Sequence, residues 1–73
     1  MREAGTIRER VFQALIQRYK ADGEEALVTI DALIKGEVVP GHHDVTGDID
    51  KLLAKVAFAE EKMATLRRHY GTN

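Results

Sequence analysis

Two segments of the chain repeat their core positions at alternating steps of three and four, with polar residues between them. From Thr46 onward these positions are Ile49, Leu52, Val56, Ala59, Met63, Leu66 and Tyr70. In the first half they are Phe12, Ile16, Tyr19, Gly23, Ala26, Ile30 and Leu33. This spacing is typical of the seam along which one helix packs lengthwise against another. The pattern predicts two long amphipathic helices and an all-α fold.

The first helix has clear signals at both ends. Thr6 and Glu9 have the spacing of a capping box, in which each side chain accepts a hydrogen bond from the other's backbone N–H. Gly36 supplies a residue that readily ends a helix. We predict a helix over 7–35.

The second helix is bounded by a threonine and a glycine. Thr46 is the predicted N-cap, and Gly71 is the predicted terminator. The basic run 67–69 suits the negative end of the helix dipole. We predict this helix over 47–70.

The remaining segments are predicted to lack regular structure. Pro40 and the glycine after it favour a turn, so 36–45 is predicted to connect the two helices. Residues 1–5 carry no helix signal and are expected to be disordered. The chain is expected to form a single helical domain over 1–73.

Gly23 leaves two architectures open. Asp22 could cap a new helix, with Glu25 completing a second capping box, and this would give a three-helix bundle broken at Gly23. However, the apolar face passes through Gly23 without losing phase, which favours one continuous helix. An interior glycine costs about 1 kcal/mol relative to alanine, and it is tolerated where another backbone comes close.

A short connection requires the two helices to run antiparallel. Aligning the ends nearest the loop places Leu33 opposite Ile49, and the same register then places Gly23 opposite Ala59. The smallest residue of one seam therefore meets the smallest of the other. This match favours an antiparallel helical hairpin.

Further apolar residues flank the seam on one side, and two helices alone cannot enclose them. They are Leu27, Ile34, Leu53, Ala57 and Ala64. An exposed apolar strip of this kind typically marks an interface. Pairing of two hairpins into a homodimeric four-helix bundle would bury it. Val28 and Phe58 lie on other faces, and Phe58 is a candidate contact for a partner.

Composition narrows the classes of protein. The chain has 73 residues and no cysteine, so it has neither a disulfide framework nor a thiolate metal site. A domain this small is marginally stable alone, which again favours self-association. Its formal charge is −1, and it has neither a membrane span nor a signal-peptide pattern. We expect a cytoplasmic protein that does not interact with membranes.

Residues capable of catalysis or metal binding are sparse. There is no serine, no phosphate-binding glycine loop and no recognisable metal-helix motif. We predict that the protein is not an enzyme and has no cofactor or metal. His42 and His43 are adjacent in the predicted loop, and a metal site there would need a third ligand, such as His69 from another protomer.

Charge is unevenly distributed along the chain. Residues 1–20 and 51–73 each carry five basic and two acidic residues, whereas 21–50 carry eight acidic residues and one basic residue. A hairpin therefore has a basic end near the termini and an acidic end near the loop.

Two functions fit this pattern. The first is a non-catalytic protein–protein interaction module, a small dimeric adaptor or regulator. The alternative is a nucleic-acid-binding regulator that uses the basic end of the hairpin. The candidate contacts for a protein partner or a nucleic acid are Arg10, Gln17, Arg18, Phe58, Arg67 and Arg68. The near-neutral total charge favours the first function over the second.

Overall fold

The protein folds as a helical hairpin. The computed structural model describes residues 6–36 and 44–71, in which α1 spans Ile7–Lys35 and α2 spans Val45–Tyr70. The described residues contain no strand. The predicted bounds of α1 are confirmed, and the three-helix alternative is wrong because α1 continues through Gly23. The predicted disorder of 1–5 lies outside the described residues, as does most of the predicted loop.

The predicted caps of α1 are both present. The Thr6 hydroxyl accepts a hydrogen bond from the Glu9 N–H at 3.1 Å, and the Glu9 carboxylate accepts one from the Thr6 N–H at 3.2 Å. At the other end Gly36 adopts a left-handed conformation with φ 78°, and its N–H donates to the Leu33 carbonyl. This conformation is open to glycine without steric cost, which explains why α1 ends here.

The predicted start of α2 is wrong by two residues. Asp44, not Thr46, is the N-cap, and its carboxylate accepts a hydrogen bond from the Gly47 N–H at 2.9 Å. The Thr46 hydroxyl instead donates to the Asp44 carboxylate at 3.2 Å. Aspartate is among the strongest N-caps, and its charge suits the positive helix end, so it displaces the threonine. The predicted end at Gly71 is confirmed, although that residue has extended rather than left-handed backbone.

The seam follows the predicted register. Gly23 is buried, and a Cβ atom added to it would lie 3.6 Å from the Ala59 Cβ. The adjoining core cluster contains Ala26, Ile30 and Val56, with Ile49 and Leu52 packed against it. These contacts confirm that the small residues meet at the middle of the hairpin and the larger ones nearer the loop.

The half of the hairpin near the termini is less enclosed. Ile16 is buried there, but Phe12 and Leu66 are only half-buried, and Tyr70 is 67% exposed. The register leaves the first residues of α1 without a residue of α2 opposite them, and Ile7 is accordingly 73% exposed. The open end of the hairpin therefore retains exposed apolar side chains.

The hairpin is long and thin. Its radius of gyration is 16.3 Å, whereas a compact chain of this length is expected to have about 11 Å. Its accessible surface is 5891 Å², whereas about 4,500 Å² is typical of a compact monomer of this mass. Two helices expose more surface than a closed bundle would. Neither helix is long and apolar enough to cross a membrane.

Candidate interaction surfaces

One side of the seam carries the predicted apolar strip, here called the apolar flank. It consists of Leu27, Ile34, Leu53, Ala57 and Ala64, and all five are exposed. The exposed fractions of the large side chains are 44% for Leu27, 68% for Ile34 and 51% for Leu53. A single hairpin thus leaves about half or more of each large apolar side chain in water.

The positions of these residues follow from helical geometry. Leu27 and Ile34 each come one residue after a buried seam position, and Leu53 comes one residue after Leu52. In an antiparallel pair of helices the positions directly after equivalent seam residues lie on the same side, so the three leave the seam together. The seam register places the large residues in the half of the hairpin nearer the loop.

The opposite side of the seam carries a second surface, here called the basic flank. It consists of Arg8, Val11, Leu15 and Arg18 on α1, with Phe58 and Lys62 on α2. The residues on α1 are separated by steps of three and four, so they form one stripe beside the seam. Phe58 is 66% exposed, Val11 is 52% exposed and Leu15 is half-buried.

Helical phase places the two parts of the basic flank on the same side, because residues directly before seam positions lie together in antiparallel helices. The Lys62 Nζ lies 5.3 Å from the centroid of the Tyr19 ring, a cation–π contact between the helices. At the open end, Val11 and Leu15 line a shallow concave surface together with Leu66 and Tyr70. The basic flank is therefore continuous from the first turn of α1 to the middle of α2.

The residues predicted to contact a protein or nucleic acid are all exposed, but they are divided between faces. They are Arg10, Gln17, Arg18, Phe58, Arg67 and Arg68. Arg18 and Phe58 lie on the basic flank. Gln17 directly follows Ile16 and Arg67 directly follows Leu66, so both lie on the side of the apolar flank. Arg10 shares that side because it is seven residues before Gln17. The hairpin does not assemble these six into one surface.

Few of the surface charges are neutralised by a close partner. Within 6–36 and 44–71 the only ion pair joins the Lys35 Nζ to the Asp31 carboxylate at 3.1 Å, with both side chains more than half exposed. Arg8, Arg18 and Lys62 therefore have no carboxylate within ion-pair distance in the described part of the chain.

The described residues bring no catalytic or metal-binding constellation together. No three histidine, aspartate or glutamate side chains among them lie close enough to hold a metal ion. His42 and His43 lie outside the described residues, and His69 is exposed in the last turn of α2. Within the described residues, the two flanks are the candidate interaction surfaces.

The basic flank is the surface that sequence reasoning missed. Arg18 and Phe58 are among the contacts predicted from the sequence, whereas Val11, Leu15 and Lys62 are not. The spacing of Arg8, Val11, Leu15 and Arg18, with steps of three, four and three beside the seam, is the signal that identifies it.

Comparison of the chain with protein-family models, curated proteins and solved structures gives no match. A function for this hairpin therefore has to be argued from its own surfaces. The apolar flank and the basic flank differ in chemistry, so they favour different ligands.

Proposed function

We propose that the protein is a non-catalytic protein–protein interaction module, a small cytoplasmic adaptor or regulator that works as a homodimeric four-helix bundle. The apolar flank carries this proposal. Leu27, Ile34 and Leu53 are large, apolar and about half or more exposed on one side of the seam. Large apolar side chains that share one surface are normally buried, either in a core or in an interface.

A second copy of the chain is the occupant that the surface area favours. The accessible surface of 5891 Å² exceeds the value for a compact monomer by about 1,300 to 1,400 Å². A specific dimer buries about 600 to 1,000 Å² per partner. Pairing two apolar flanks about a twofold axis would remove this amount and give each hairpin the core that two helices lack.

Dimerisation through the apolar flank leaves the outer faces available for a partner. The basic flank lies on the opposite side of the seam, so one dimer presents two copies of it to solvent. This arrangement suits an adaptor, since the surface that builds the bundle is separate from the surface that meets the partner.

Binding to nucleic acid is the alternative function, and salt dependence separates the two. Each phosphate contact releases counterions, so nucleic-acid affinity falls steeply as salt is raised, whereas apolar docking changes little. Titration of the protein with mixed RNA and DNA oligonucleotides at two salt concentrations makes the distinction. Tight binding that weakens steeply with salt would favour the alternative.

Sedimentation equilibrium at micromolar concentration tests the dimer directly. The expected result is a mass of twice 8.2 kDa and a melting temperature that rises with protein concentration, because assembly is linked to folding. A well-folded monomer whose melting temperature is independent of concentration would contradict the proposal.

A further inference from the structure

We infer that the basic flank binds an acidic amphipathic helix of a protein partner. This inference rests on the proposed function, because it names the chemistry of the partner that the interaction module would recognise. It depends on the six residues of the basic flank and on the separation of that flank from the apolar flank.

The shape of the basic flank suits a helix. The seam register carries it from Arg8 at the open end to Phe58 at the middle of the hairpin, a length of about 24 Å. A helix of about 16 residues has this length. Val11, Leu15 and Phe58 provide apolar contacts along the way, and an amphipathic helix meets such contacts with residues spaced by three and four.

The charge of the basic flank specifies the sign of the partner. Arg8, Arg18 and Lys62 have no ion-pair partner in the described part of the chain. Glutamates beside the apolar face of a partner helix would pair with these cations. Exposed pairs contribute more to selectivity and association rate than to affinity, so the apolar contacts must supply most of the binding energy.

A nucleic acid fits this flank less well than a protein helix. A base can stack on Phe58, which is 66% exposed. However, neither a base nor a phosphate covers an aliphatic side chain such as Val11, which is 52% exposed. Asp22 and Glu25 continue the stripe of α1 beyond Arg18, so an extended polyanion would meet like charge there. A partner helix also passes Asp22 on its way to Phe58, but it can place an uncharged residue there and confine its glutamates to the positions opposite Arg8, Arg18 and Lys62.

A titration of the ¹⁵N-labelled 73-residue chain tests the inference. The probe is a synthetic helical peptide with leucines at steps of three and four and glutamates on both sides of them. A matched peptide keeps the leucines and replaces every glutamate with lysine, and a single-stranded RNA oligonucleotide is the third probe. We expect the acidic peptide alone to shift the amide resonances of Val11, Leu15 and Phe58.

Variants with reversed charges or truncated side chains test which residues of the basic flank contribute to peptide binding. Arg18→Glu together with Lys62→Glu should weaken binding of the acidic peptide by roughly tenfold or more. Phe58→Ala should weaken it by roughly fivefold. The matched controls are Arg68→Glu, a charge reversal on the far side of α2, and Val28→Ala, which truncates an exposed apolar residue on the far side of α1. Both controls should bind like the unaltered protein.

Several outcomes would overturn the inference. They are an absence of binding at millimolar acidic peptide, equal binding of the lysine peptide, shifts confined to Leu27, Ile34 and Leu53, and preferential binding of the RNA. Sedimentation of the same sample separates this result from the dimer proposal. A dimer that ignores the peptide overturns the inference alone, whereas a monomer that binds it overturns the dimer alone.

Discussion

The two flanks of the hairpin border the same seam, yet they differ in chemistry. The apolar flank presents Leu27, Ile34 and Leu53 to solvent, whereas the basic flank presents Arg18 and Lys62 around a single exposed phenylalanine. Both sets of residues lie next to seam positions, so their places follow directly from the register of the two helices. The seam therefore dictates where the flanks lie, and the side chains beside the seam determine what each can bind.

The two flanks also differ in how much of their apolar surface they can shield from water in a single hairpin. Lysine and arginine cover apolar surface with their methylene groups while their charged ends stay in water. The charged end can also contact an aromatic ring, and the Lys62 Nζ lies 5.3 Å from the centroid of the Tyr19 ring. Leucine and isoleucine have no polar end, so the apolar flank remains costly until another surface covers it. We therefore expect the apolar flank to be permanently occupied and the basic flank to be occupied on demand.

The largest expected effect comes from converting the apolar flank into a charged one. Leu27→Glu together with Leu53→Glu would place unpaired carboxylates in the proposed dimer interface, where burial of charge is strongly unfavourable. We expect the dimer dissociation constant to rise by about a hundredfold or more. The resulting monomer should melt at a lower temperature, which circular dichroism measures.

The matched control places the same charges away from both flanks. Val28→Glu with Ala54→Glu alters exposed positions on the outer faces of α1 and α2. Association should be retained in this variant. Equal loss of association in both double variants would mean that the apolar flank has no special role.

A smaller effect is expected at the close contact that holds the two flanks in register. A leucine at Gly23 would overpack the seam against Ala59, so Gly23→Leu should destabilise the fold by roughly 1–3 kcal/mol. Gly23→Ala should be mild or stabilising, because its Cβ would lie in ordinary contact at 3.6 Å from the Ala59 Cβ. Urea unfolding of both variants measures the difference, and a strong loss from the alanine variant would contradict a continuous helical backbone at Gly23.

The sequence was sufficient to predict the hairpin because several signals agree along it. The seam spacing, the Thr6 capping box and Gly36 all indicate the same bounds for α1. At the start of α2, both Asp44 and Thr46 are residue types that cap helices. The N-cap is the residue whose side chain accepts a hydrogen bond from the Gly47 N–H, and the spacing of the sequence alone does not decide which of the two it is. The basic flank was missed because its cations were considered by charge, without their helical phase relative to Val11 and Leu15.

The competition at the start of α2 gives the next prediction. Asp44→Ala should destabilise the fold by about 1 kcal/mol, because the Gly47 N–H loses its acceptor. Thr46→Ala should cost less, since it removes only a hydroxyl that donates to Asp44 between exposed side chains. This pair of variants tests how firmly the loop end of the apolar flank is fixed. Thermal unfolding compares the stability of the two variants. A larger loss of stability from Thr46→Ala would indicate that Thr46, not Asp44, is the N-cap.

The smallest expected effect concerns the relative orientation of the two copies in the proposed dimer. We expect the charged residues beside the apolar flank to determine this orientation. The middle of the apolar flank lies near Leu27, so an antiparallel twofold axis there brings Asp50 of one copy level with Lys20 of the other. A parallel arrangement would instead place the acidic loop ends together. Such exposed pairs contribute only about 0–1 kcal/mol each, so they select an orientation that the apolar contacts stabilise.

A spin label attached through Thr46→Cys measures this orientation. The seam register places that position about 15 Å from the proposed axis, so antiparallel copies should hold their labels about 30 Å apart. Raising the salt concentration should broaden the distance distribution without dissociating the dimer, because screening acts mainly on exposed charges. A label separation below about 20 Å would mean that the loop ends lie side by side. In that case the packing of the apolar flank would favour the parallel arrangement, even though the charges favour the antiparallel one.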